Sequence, residues 1–178
     1  MTDENSLSHL RRMARIGGAV ALVGAVGVGG FSLSSWFDQR QLAVTLASGL
    51  PGAPMPEGGT LVAAYLLSLV PAAIFVIAMI ESWRLFALLG SGRVFTPALP
   101  ARLRRLGLWA GVSAVAGIVV RTGLGLVLTA NAPAGQKALV IGIGSNEIAA
   151  LVMAALLLAF ALVMRDAIAI EEDNRGIV

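Results

Sequence analysis

Apolar positions along the chain fall into four long runs, at residues 16–36, 60–80, 106–129 and 145–164, separated by polar connections that carry most of the arginines. Each run is about 20 residues, the length a helix needs to cross roughly 30 Å of hydrocarbon at 1.5 Å per residue. The pattern predicts an all-α integral membrane protein, one domain over residues 1–178. Its expected form is a four-helix bundle with a cytoplasmic interfacial helix and a cytoplasmic extension of the fourth helix. Composition agrees: at 57% hydrophobic and 13% charged residues, the chain carries too little charge to cover a soluble domain.

Charge placement sets the orientation. Arg11, Arg12 and Arg15 precede the first run, Arg84, Arg93, Arg102, Arg104 and Arg105 lie between the second and third, and Arg165 and Arg175 follow the fourth. Only Arg40 and Lys137 fall in the other two connections, and Arg121 lies inside a run. The positive-inside rule then puts both termini in the cytoplasm. Basic residues distributed this way serve topology, and no direct nucleic-acid binding is expected. The absence of cysteine excludes disulfides and thiol chemistry. The single histidine, His9, reads as a solvated neighbour of the N-terminal arginines, so no metal site and no cofactor are expected. The basic start, the apolar run and the small residues Ser32, Ser34 and Ser35 mimic a secretory signal. The run is too long for one and further spans follow, so an uncleaved helix is expected.

Within the first run Gly17, Ala21, Ala25 and Gly29 recur every four residues, a smooth face for close helix packing inside the bundle or between two copies. The glycines at 24–30 lack the Gly-Lys-Ser/Thr ending of a phosphate loop. Trp36 and Phe37 mark the outer interface, Trp83 and Trp109 the inner one. In the long outer connection, Pro51, Pro54 and Pro56 make the second half irregular, while residues 41–46 suit either a short strand or a surface helix. Pro71 removes a backbone donor in the middle of the second run and predicts a kink. The helix should continue through residues 81–89 and end at Gly90 as a left-handed cap. Thr96 reads as an N-cap with Pro97 at the first helical position. Residues 97–105 then form an amphipathic segment, with Arg102, Arg104 and Arg105 opposite Leu99 and Leu103, expected in the inner headgroup layer before the chain turns into the third span.

Arg121 is the one charge well inside a span, roughly 12 Å from its outer end by helix rise. It shares a face with Ser113, Gly117 and Gly125, which predicts protein rather than lipid beside it, and a buried guanidinium needs a partner. Glu147 is the candidate. Ser145, Asn146 and Glu147 form a helix-start signal, which would place Glu147 in the first turn at the outer interface, with Arg121 reaching outward to it. Residues 140–144 would be extended. The pair reads either as an interhelical clamp or as a proton or ion relay. At the other end, Glu171, Glu172 and Asp173 form an acidic cluster that either neutralises Arg102, Arg104 and Arg105 or serves as a docking peptide.

Three collinear stretches carry a resemblance. They are Pro71 with Trp83, Arg84, Leu85, Phe86 and then Gly92, Arg93, Val94, Phe95, Thr96; Leu103, Arg104, Arg105, Leu106, Gly107; and Ser145, Asn146, Glu147 followed by a long apolar helix and Ile170, Glu171, Glu172, Asp173, Asn174. In these the chain resembles an uncharacterised bacterial family of four-span membrane proteins, domain of unknown function 2975, from about residue 60 onward. Related tails more often end in an acid–Asn–Asp order with a Leu-Thr-Val-like hook, from which Gly176, Ile177 and Val178 depart. The resemblance implies a multi-pass protein of the bacterial inner membrane. It also implies a partner, because members are often encoded beside a small helix-turn-helix regulator of the Cro/CI type. The expected function is therefore non-enzymatic: tethering or sequestering such a regulator through Glu171, Glu172, Asp173, Arg102, Arg104 and Arg105. The competing expectation is a small oligomeric transporter, channel or lipid-binding protein that uses Arg121 and Glu147.

Overall fold

In the computed structural model the protein is all helix, and residues 2–48, 55–91, 96–129 and 144–175 are described, with side chains between His9 and Glu171. Helix α1 covers Thr2–Ser34, a single 3-10 turn follows at Ser35–Phe37, and a short α2 covers Gln39–Ser48. Three long helices complete the chain: α3 (Gly58–Gly90), α4 (Ala98–Thr129) and α5 (Ser145–Arg175). The four long helices are each apolar and long enough to cross a bilayer, so the protein is a multi-pass membrane helical bundle.

The outer connection that suited strand or helix is a helix. Asp38 starts it: its carboxylate accepts the Gln41 amide at 3.0 Å, and its carbonyl accepts that of Leu42 at 2.9 Å. Leu42 is buried with Leu61 and Tyr65, which anchors α2 on the first turns of α3. Tyr65 donates to the Ser32 carbonyl at 3.0 Å and lies 4.9 Å from the Trp36 ring. The belt tryptophan is thus also a packing residue. Helix α3 begins at Gly58, whose φ of +53° is a conformation that a side chain would strain.

Two expectations need correction. Residues 97–105 are helical but are no separate interfacial segment: α4 runs unbroken from Ala98 to Thr129. No breaker follows Pro100, which the first turn tolerates, and Gly107 serves close packing instead. Gly90 is not a left-handed cap, since α3 gives way to Ser91 in right-handed geometry, with its amide bonded back to Ala87 and Leu88. Pro71 lies inside α3, which does not end there. Residues 140–143 lie outside the described residues.

Packing follows chain order. Helix α3 packs along α1 and α4, and α4 packs along α5, so the long helices form an open row. The small-residue stripe of α1 faces α3: Ala21 and Ala25 are buried, and a Cβ on Gly17 would stand 2.6 Å from the Phe86 ring. At the α4–α5 interface, a Cβ on Gly107 would meet Leu158 at 3.0 Å and the Ala154 carbonyl at 3.2 Å. In the most apolar stretch of each span only 11–22% of residues are buried within the chain. The remainder is surface that the bilayer covers.

Candidate functional site

Two polar constellations stand out, one at each level of the bundle. The first is at the arginine-rich end. Glu81, one residue beyond the second apolar run, is buried at 7% exposure. Arg84 on the same helix donates to its Oε1 at 2.7 Å, and Arg102 of α4 approaches Oε2 at 3.8 Å. A carboxylate out of water requires such compensation, and here it ties α3 to α4. Sequence reasoning passed over Glu81 as part of a solvated extension. The i,i+3 spacing to Arg84 was the available signal; the contact with Arg102 exists only in the fold.

Arg102, which the sequence placed in the docking set, thereby also approaches α3. Arg104 and Arg105 are exposed. Arg104 lines a cleft of about 700 Å³ between the first turns of α4 and the last turns of α5, with Arg165 on its far wall. Arg165 donates through Nε and Nη2 to Asp166 at 3.1 and 3.0 Å, an exposed pair of small energetic weight. Glu171 is half-buried on the same end of α5 and has a partner of its own. The backbone of Glu172 and Asp173 continues α5, while their side chains lie outside the described residues.

The second constellation is Arg121 with Glu147. Helix α5 starts at Ser145, as its sequence predicts, and its first turn lies alongside the interior of α4 rather than its end. Gly107 against Ala154 and Leu158, and Gly111 against Ala154, fix an antiparallel register. Carried along α4 at 1.5 Å per residue, that register puts Ser145 level with Arg121, about two turns short of Thr129. Glu147 accordingly lies against Gly117, where a Cβ would stand 3.3 Å from Oε1. Its Oε2 is out of solvent and makes no hydrogen bond among the described residues.

Arg121 itself is exposed rather than buried, although its face does meet protein, with Gly117 against Glu147 and Gly125 buried. Its guanidinium reaches along α5 toward Gly144, whose hypothetical Cβ would lie 3.0 Å from Nη1 and in collision with Glu147 Oε2. The fold therefore brings the two side chains to one glycine, yet among the described residues they form no ion pair within 4.0 Å. Gly144 is the residue that sequence reasoning missed; only the tertiary arrangement shows that a side chain there would displace the carboxylate.

No curated protein and no solved structure matches the chain. The family model described as a protein of unknown function (DUF2975) matches residues 38–178. The chain therefore belongs to that family, and the match extends through α2 as well as the last three long helices.

Proposed function

We propose that this DUF2975 member is a non-enzymatic protein of the bacterial inner membrane that holds a small cytoplasmic helix-turn-helix regulator at its arginine-rich face. The observation that carries the reading is where the helices overrun their apolar spans. α1 begins at Thr2, before the run that opens at Ile16; α3 continues past Ile80 to Gly90. α4 starts at Ala98, before Leu106, and α5 continues past Met164 to Arg175. Every overrun is at the same end, roughly 12–20 Å of helix at 1.5 Å per residue. By the positive-inside rule that end is cytoplasmic. Clusters of both signs at that end, Arg104 and Arg105 on α4 and Glu171, Glu172 and Asp173 on α5, favour specific and rapid association with a charged partner. Membrane fractionation of the native host tests this. With the gene intact, a small helix-turn-helix protein should sediment with membranes and move to the soluble fraction on deletion; an unchanged distribution of all such proteins would refute it.

A second reading has its own support in Glu147. A carboxylate held in the first turn of α5, well inside the outer end of α4 and beside an arginine that forms no ion pair among the described residues, suits a permeating cation or proton. Flux into liposomes that Glu147→Gln abolished would establish it.

A further inference from the structure

We propose that the cleft between α4 and α5 at the arginine-rich end binds an anionic phospholipid, with the phosphate between Arg104 and Arg165 and an acyl chain laid along the groove beyond. Two cavities meet there. The mouth, about 700 Å³, is walled by Arg104 and Arg165 with Pro100 and Ala101. Beyond it an apolar groove of about 810 Å³ has α4 as its floor, with α3 and α5 at its sides. Leu158 lines both, so they adjoin along the α4–α5 seam.

Helical spacing produces this continuity. Arg104, Leu108, Gly111 and Val115 follow one face of α4 at three- and four-residue steps. Arg165, Leu162, Leu158, Ala155 and Leu151 do the same on α5, running the opposite way. Charge is confined to the mouth and hydrocarbon to the interior, the polarity of a glycerophospholipid seated in its own leaflet.

Charge complementarity selects an anionic headgroup. Arg104 pairs with no carboxylate among the described residues. Arg165 spends Nε and Nη2 on Asp166, which leaves Nη1 for a phosphate oxygen. The groove favours lipid over an acidic peptide, because Val115 and Leu151 lie deep in the apolar spans, where a soluble segment does not reach. The site shares Arg104 with the proposed regulator face, but lipid binding is measured on the purified chain with no regulator present, so its failure and the failure of the tethering reading are separate results.

Thermal unfolding of the purified chain in detergent tests the site, since a ligand that binds only the folded state raises Tm. Dioleoyl-phosphatidylglycerol should raise Tm by several degrees and the phosphatidylcholine of the same chains should not. R104Q/R165Q should lose that increment, and A101W, which fills the mouth without removing charge, should lose it too. R105Q, which removes a neighbouring charge outside the cleft, should keep it. If the double variant does not fold, A101W and R105Q carry the same decision. An equal shift with phosphatidylcholine, an increment that survives both R104Q/R165Q and A101W, or one lost equally in R105Q would overturn the proposal. Inorganic phosphate or an acidic octapeptide giving the same shift without lipid would assign the cleft to a soluble anion and overturn it as well.

Discussion

Glu81 of α3 faces Arg102 of α4 across 3.8 Å at the arginine-rich end, and Arg84 closes the same carboxylate from within α3 at 2.7 Å. Glu81→Ala removes the acceptor for two guanidiniums and should cost about 2 kcal/mol, because the carboxylate is buried while both arginines stay partly solvated. Arg84→Ala should cost at least as much as Glu81→Ala, since it leaves a buried carboxylate with no hydrogen bond and only Arg102 at 3.8 Å. Denaturation of the three proteins in one detergent checks the order.

Glycine-to-alanine changes should separate by what the new methyl group meets. Gly107→Ala presses on the Ala154 carbonyl as well as Leu158, and backbone cannot step aside, so about 1–3 kcal/mol is expected. Gly17→Ala meets only the Phe86 ring; pairing it with Phe86→Leu should recover part of the loss, a coupling measurable in a double-mutant cycle. Gly27 has nothing within 4 Å, and Gly27→Ala should melt like the parent or slightly above it.

The Arg121–Glu147 pair should behave as two neighbours rather than one clamp. With no ion pair within 4.0 Å among the described residues and Arg121 exposed, the coupling in an R121A/E147A cycle should stay below about 1 kcal/mol. Gly144→Ala, whose Cβ would collide with Glu147 Oε2, should destabilise in the parent and do so less in E147A.

The chain has no cysteine, so single cysteines report topology without background. S91C and D166C, both at exposed positions, should react with an impermeant maleimide only after the membrane is opened. T45C on α2 should react in intact spheroplasts. The reverse pattern would invert the orientation drawn from the arginines.

Much of this architecture was readable in the chain because lipid imposes a simple rule: an apolar run of about 20 residues must be helical to satisfy its own backbone. The four spans, the family and the start of α5 at Ser145 followed from such local signals. What escaped was tertiary. Nothing local to Glu147 tells that α5 begins two turns inside the end of α4; that follows from Gly107 admitting Leu158 closely and so fixing the register. The burial of Glu81 depended on a neighbouring helix, and the adjoining grooves at Leu158 on two helices aligning their faces. The small residues beside Arg121 do meet protein, Gly117 against Glu147 and Gly125 in a buried position, while the longer arginine side chain itself stays exposed.

Most direct for the central claim is co-purification from the native host, in mild detergent, of the full chain and of a variant lacking residues 171–178. A small helix-turn-helix protein recovered with the full chain and with R121A/E147A, but lost with the truncated variant, is the predicted result. Recovery of no such protein with the full chain, or equal recovery with the truncated variant, would contradict a regulator held through the acidic end of α5.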